Sequence, residues 1–278
     1  MKVLVAEKCG FCPGVRNAID LAKKTLAEQK KVYSLGPIIH NEDVVKELAQ
    51  SGLCTVESVE QIPGGTALIR SHGATQKELE ILHNKGLSIV DATCVLVKRV
   101  QKIARQLHEE GYHVIIIGDK NHPEVKAVVG SAEGVEVFGD ESDLDKLRNH
   151  KKLGVICQTT QSPDYFASMI GVIGKLPFSE IKIINTLCRE TKDRQEAAVK
   201  LCRQVDIMFV LGGLHSANTR KLAELCKKHN LQTYHLQNWE ELDIRTLSGK
   251  RVAGITAGAS TPDEVIREFV EKLEAFIG

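Results

Sequence analysis

Eight cysteines in 278 residues carry most of the chemistry this chain can offer. Three of them repeat one layout: a short apolar run, a loop holding the cysteine, then a helix-patterned stretch. Cys12 lies within Val3 to Val15, Cys94 within Ser88 to Val100 and Cys188 within Ile181 to Val199. The three are 82 and 94 residues apart. That near-equal spacing predicts three comparable α/β lobes, each offering one thiolate from the carboxyl end of a strand, where open parallel sheets place their ligands. Three converging thiolates suit iron-sulfur chemistry, and a set of three cysteines by itself also suits zinc. Cys9, three residues before Cys12, and Cys157, beside Gln158-Thr159-Thr160, could approach the same site, and simple packing is the alternative for Cys9. Cys54, Cys202 and Cys226 read as buried small hydrophobes.

Other loops place polar groups where strands end: His40-Asn41, Arg70-Ser71-His72-Gly73, His122-Pro123-Glu124, Gln158-Thr159-Thr160, His215-Ser216-Ala217-Asn218 and Gly258-Ala259-Ser260-Thr261. Singly, each is an ordinary loop residue or an N-cap, as Asn218 and Thr261 would be for their own helices. Together, histidines, hydroxyls, an amide and helix-start N–H groups make a pocket suited to a phosphate-bearing ligand. The chain has no Walker loop and no GxGxxG turn, which argues against nucleoside triphosphates and dinucleotides.

The elements that must hold these residues are legible as alternation. Continuous apolar runs such as Val114-Ile115-Ile116-Ile117, Ile207-Met208-Phe209-Val210 and Val252-Ala253-Gly254-Ile255 read as buried parallel strands. Helical patterns fall at Val15–Glu28, Glu42–Gln50, Gln76–Lys85, Leu96–Glu110, Arg194–Gln204, Asn218–Lys228 and Pro262–Phe276. The expected organisation is three lobes: 1–92 with Cys12, 93–186 with Cys94 and 187–278 with Cys188.

Composition excludes several function classes. Lys and Arg (37) balance Asp and Glu (36) and are dispersed, which argues against a nucleic-acid partner. Glu7 and Lys8 interrupt the first apolar run too early for a signal peptide or membrane span, so a cytoplasmic location is expected. In that reducing compartment the cysteines stay free rather than forming disulfides.

Six motifs occur in order: Gly10-Phe11-Cys12-x-Gly14-Val15, Asp91-Ala92-Thr93-Cys94, His122-Pro123-Glu124-Val125, Gln158-Thr159-Thr160, Ser216-x-Asn218-Thr219 and Thr256-Ala257-Gly258-Ala259-Ser260-Thr261-Pro262. On these, over nearly its whole length, the chain resembles the LytB or IspH family of diphosphate reductases. The resemblance implies a trefoil-like arrangement of three α/β lobes with mostly parallel sheets around a central 4Fe-4S cluster held by Cys12, Cys94 and Cys188. One iron would be left open for substrate. It further implies an oxidoreductase of the non-mevalonate isoprene pathway that removes the allylic hydroxyl of 4-hydroxy-3-methylbut-2-enyl diphosphate, giving isopentenyl and dimethylallyl diphosphate. Glu124 would be the proton source, Thr159 would position the hydroxyl and His122 would orient the substrate. His40, His72, Ser216, Asn218 and Ser260 would hold the diphosphate. With no flavin or nicotinamide fingerprint present, electrons would come from an external donor such as ferredoxin or flavodoxin.

The chain departs from the family pattern at Val95, where proline is usual, at Arg189-Glu190 after Cys188, and at Ala217. These departures raise an alternative, a divergent relative with an open or enlarged cluster that reduces another small substrate. A third reading is a non-catalytic zinc or electron-transfer protein, for which only Cys9-x-x-Cys12 has suitable spacing.

Overall fold

The computed structural model describes residues 1–143, 147, 150–214 and 216–276. His215, one of the strand-end polar residues, lies outside the described residues. The described chain forms twelve strands in three four-stranded sheets, and every strand pairing is parallel.

The first sheet is β3-β2-β4-β5, built from β2 (Val32–Leu35), β3 (Leu53–Val56), β4 (Thr66–Ile69) and β5 (Ser88–Asp91). The second is β7-β6-β8-β9, from β6 (His113–Ile117), β7 (Val135–Phe138), β8 (Lys152–Cys157) and β9 (Glu180–Ile183). The third is β1-β12-β10-β11, from β10 (Ile207–Leu211), β11 (Thr233–Leu236), β12 (Val252–Ala257) and β1 (Lys2–Val5). All three share one order if β1 is taken as the fourth strand of the last sheet. In each, that fourth strand is an edge strand followed in the chain by one of the three cysteines.

The lobes are therefore not the contiguous stretches 1–92, 93–186 and 187–278. Lys2 to Val5 pair with Val252 to Ile255, so the Cys12 loop leaves the sheet made by the C-terminal part of the chain. Two compact units result, one of residues 1–16, 39–47 and 189–278, the other of 17–38 and 48–188.

In the first unit, Ile207, Phe209 and Leu211 pack with Ile255, Phe269 and Leu273, while Met208 and Val210 pack with Ala198, Leu201 and Leu222. Successive strand residues point to opposite faces, so burial of both sets explains the unbroken apolar runs. Helices cover both faces: α7 (Arg189–Cys202), α8 (Ala217–His229) and α9 (Asp263–Ala275). The second unit repeats the arrangement, with Val114 and Ile116 facing one apolar cluster and Ile115 and Ile117 another.

The remaining α-helices among the described residues are α1 (Pro13–Glu28), α2 (Glu42–Gln50), α3 (Gln76–Asn84), α4 (Val95–Glu109), α5 (Pro123–Val129) and α6 (Pro163–Ile173). Helix α7 starts five residues before the expected Arg194, directly after Cys188. Helix α6 is not amphipathic in sequence, yet its start was signalled: Ser162 accepts the Tyr165 N–H at 3.3 Å and Pro163 opens the first turn.

Candidate active site

In the unit of residues 17–38 and 48–188, the loops after β6 and β8 bring together Glu124 and Thr159, with His122 at the start of the same helix as Glu124. His122 caps α5, its Nδ1 accepting the Glu124 N–H at 3.2 Å, and Pro123 occupies the first helical position. With Nδ1 accepting, the proton of the neutral imidazole sits on Nε2, leaving that nitrogen as a donor. The cap also turns the Glu124 side chain inward, where it is 2% exposed.

Thr159 meets both carboxyl oxygens. Its N–H donates to Glu124 Oε1 at 2.7 Å, and its hydroxyl lies 2.8 Å from Oε2. Burial pushes the Glu124 carboxyl up from its ordinary value, and the two Thr159 contacts pull it partly back. The Thr159 carbonyl accepts the Cys188 N–H at 2.7 Å, so one residue joins the buried acid to the third cysteine. Thr186, which sequence reasoning passed over, fixes the approach to that cysteine: its hydroxyl accepts the Cys157 N–H at 2.8 Å and donates to the Cys157 carbonyl. Two strand ends are thereby clamped. His72 stands edge-on to His122, ring centroids 5.5 Å apart. Cys94 caps α4, its N–H donating to the Ser71 carbonyl at 2.9 Å, and Ser71 donates from both N–H and hydroxyl to Ile38.

In the other unit, Cys12 stands at the start of α1. Its Sγ accepts the Val15 N–H at 3.4 Å and its own N–H donates to the Ala259 carbonyl at 3.1 Å. The tight approach of this loop depends on Gly10, at φ +78°, where a Cβ would stand 2.6 Å from Asp263 Oδ1. Ser260 donates its hydroxyl to the His40 carbonyl at 3.0 Å, and Asn41 Nδ2 returns to the Ser260 carbonyl at 3.0 Å. His40 itself is exposed.

Ser216 caps α8, accepting the Thr219 N–H at 3.3 Å and its hydroxyl at 3.0 Å, and Asn218 is half-buried in the first turn. A Cβ on Gly258 would come within 2.2 Å of Thr219 Oγ1, so this loop must be glycine to lie against the helix start. Helix-start N–H groups with adjacent hydroxyls form a cradle of the kind that takes phosphate.

Cys12, Cys94 and Cys188 are half-buried. The surplus cysteines behave differently. Cys157 is fully buried in the apolar cluster with Ile115, Ile117 and Phe138. Cys9 packs against the core of its unit, and burial pushes its thiol up to about 12, which keeps it neutral. Cys202 and Cys226 are buried as expected, but Cys54 is exposed, because it sits on the outermost strand of its sheet. Of the departures, Val95 is 75% exposed. Arg189 and Glu190 do not pair with each other: Arg189 reaches Asp193 at 3.6 Å and Glu190 reaches Lys8 at 3.1 Å.

Comparison with known proteins points to one family. The LytB protein family matches residues 3–274. The 4-hydroxy-3-methylbut-2-enyl diphosphate reductase of Caldanaerobacter subterraneus is 42% identical, covering 100% of this chain and 98% of the relative. That of Aquifex aeolicus is 41% identical, covering 98% and 96%. A solved structure of (E)-4-hydroxy-3-methyl-but-2-enyl diphosphate reductase, the terminal enzyme of the non-mevalonate pathway, superposes with a TM-score of 0.80 at 40% identity, covering 99% of this chain and all of that one. The Plasmodium falciparum E-1-hydroxy-2-methyl-but-2-enyl-4-diphosphate reductase superposes with a TM-score of 0.88 at 30% identity, covering 98% and 87%.

Proposed function

Because the chain belongs to the LytB protein family, we propose that it acts as its relatives do, reducing 4-hydroxy-3-methylbut-2-enyl diphosphate in the last step of isoprene-unit synthesis. Two electrons and two protons enter, the allylic hydroxyl leaves as water, and isopentenyl and dimethylallyl diphosphate are formed. The observation that carries this reading is the buried Glu124 carboxyl held by Thr159, whose carbonyl in turn holds Cys188.

A 4Fe-4S cluster on Cys12, Cys94 and Cys188 is part of the reading. The donors fit such a group: each is a half-buried cysteine at a helix start, the end of a helix that favours anionic groups. Cys9 packs against the core of its unit and Cys157 is fully buried in an apolar cluster, and this packing argues against either as a ligand. When bound, a cluster with three protein thiolates supplies electrons and one iron free to act as a Lewis acid toward the substrate oxygen.

The chain's own residues do the rest. Desolvation favours the protonated form of Glu124, so the acid is held ready rather than spent. A proton on Oε2 faces the Thr159 hydroxyl, which accepts it while offering its own proton outward. His122, with Nε2–H as donor, orients the substrate. Ser216, Asn218 and Ser260, with His40 and His72, hold the diphosphate, and the backbone cradle at α8 adds neutral donors. Electrons come from a separate carrier of the ferredoxin or flavodoxin type. No described helix is long and apolar enough to cross a membrane, and we place the reaction in the cytoplasm.

The test is an anaerobic assay of iron-reconstituted protein with reduced viologen. Substrate-dependent oxidation yielding both diphosphate products is expected. A cluster-bearing protein that gives no turnover would refute the reading.

A further inference from the structure

Arg194, in the second turn of α7, is only 6% exposed. A guanidinium so placed has to be met by acceptors, and this one meets the loop that leads to Cys12 and the last residue of β12. Nη1 donates to the Ala257 carbonyl at 2.8 Å and Nη2 to the Gly10 carbonyl at 2.8 Å. Gly10 stands two residues before Cys12, and Ala257 three before Ser260. The loops after β1 and β12 also meet directly, the Cys12 N–H donating to the Ala259 carbonyl, and they leave those paired strands side by side, so Arg194 adds a side-chain brace to a backbone contact. The planar fork of arginine sets the separation and the relative angle of the two peptides it bridges, and its charge makes both bonds short and strong.

We propose that Arg194 is a positioning residue that locks the Cys12 loop to the end of β12, where the Ser260 loop begins, so that the placement of a metal-ligating sulfur and that of a diphosphate-binding hydroxyl are set together. The inference rests on the reductase reading above. It assigns to Arg194 a role that none of the six motifs contains. Two further features agree with it. Gly10 must hold a positive φ and a close approach to Asp263 while presenting its carbonyl to Arg194, so the loop has one shape in which that bond forms. Arg194 is also close enough to Cys9 for its charge to oppose the effect of burial on that thiol, which puts a fixed positive charge beside the cysteine loop. Lysine keeps the charge and presents one compact ammonium in place of a rigid fork, so it cannot hold both carbonyls at the spacing arginine does.

The experiment compares cluster-reconstituted wild type, R194K and R194Q. It measures iron content and melting temperature, the affinity for inorganic pyrophosphate, the spin-resonance spectrum of the reduced protein with and without pyrophosphate, and KM against kcat. The expected R194K protein keeps its iron, binds pyrophosphate about tenfold more weakly, the loss of roughly one hydrogen bond's worth of geometry, and shows a KM raised in proportion. Its spectral response to pyrophosphate is diminished. An R194K protein with wild-type pyrophosphate affinity, KM and spectral response overturns the proposal, even if it melts lower, because Arg194 would then serve stability alone. R194Q is expected to show the same changes more strongly. Hydrogen exchange on the wild type needs no variant: pyrophosphate is expected to slow exchange in residues 10–12 as well as 258–261, and protection confined to 258–261 overturns the coupling. A wild-type protein that holds iron yet binds no pyrophosphate would instead refute the reductase reading itself.

Discussion

Thr159→Val removes the hydroxyl beside Glu124 while keeping the side chain's shape and the two backbone contacts, N–H to Glu124 Oε1 and carbonyl to the Cys188 N–H. The change therefore isolates the 2.8 Å contact with Oε2. A hydrogen bond to a charged group contributes about 1.5–3 kcal/mol, against about 0.5–1.5 kcal/mol when both partners are neutral. The valine variant should lose the larger amount where Glu124 is ionised and the smaller where it is protonated. Because the lost contact favours the carboxylate, the Glu124 carboxyl should rise further above its ordinary value. Activity requires the protonated acid, so the alkaline limb of the kcat profile should move to higher pH. If the hydroxyl also passes the proton outward, kcat at the optimum should fall about 100-fold, within the range of general acid catalysis. The assay is viologen oxidation by cluster-loaded protein across pH, with iron content measured on the same samples. Iron should stay at the wild-type level, because the Cys188 N–H keeps its acceptor. An unchanged kcat, or an alkaline limb moved to lower pH, would refute the assignment of Thr159.

Glu124→Gln should retain iron and pyrophosphate binding but lose roughly 10²- to 10⁴-fold in kcat, the usual contribution of a positioned acid. The same variant tests the linkage. A carboxyl raised in the folded state stabilises fully below the unfolded carboxylate range, near about 4.3, and that contribution is lost as pH rises through the folded value. Urea midpoints of wild type should therefore fall relative to the glutamine variant as pH increases from there, and a constant difference would contradict the raised carboxyl. Cys94→Ala and Cys188→Ala should each fail to hold a stable cluster, whereas Cys9→Ser should keep wild-type iron; the reverse pattern would overturn the ligand set. Ser216→Ala removes the cap of α8 and should cost about 1 kcal/mol in chemical denaturation, together with weaker pyrophosphate binding. A loss of stability with unchanged binding would leave Ser216 as a cap only.

The parts of this protein legible in its sequence are those fixed by local chemistry. Continuous apolar runs mark strands covered on both faces, as Ile207 to Leu211 are. A cap and proline mark the helix start at His122-Pro123, whereas the same signal at Ser162-Pro163 opens a helix that apolar periodicity did not announce. The recurrence of a strand, a cysteine turn and a helix at Cys12, Cys94 and Cys188 is likewise local, and each of the three stands between an edge strand and a helix start.

Other features depend on which segments meet, and for these the sequence has no local signal. Parallel strands pair through backbone groups that every residue carries, so nothing in Lys2 to Val5 announces its partner at Val252 to Ile255. That pairing moves Cys12 into the last sheet. The same holds for cysteine burial: a strand residue faces one side or the other by the two-residue period, but whether that side is covered depends on neighbours. Cys157 enters the core while Cys54, on an outermost strand, faces solvent. The contacts of Glu124 with Thr159, 35 residues away, and of Arg194 with Gly10, 184 residues away, arise only when strand ends are gathered. Residue types and spacing told which groups could react, while their protonation, orientation and mutual support come from burial and long-range hydrogen bonds, which exist only once the chain has folded.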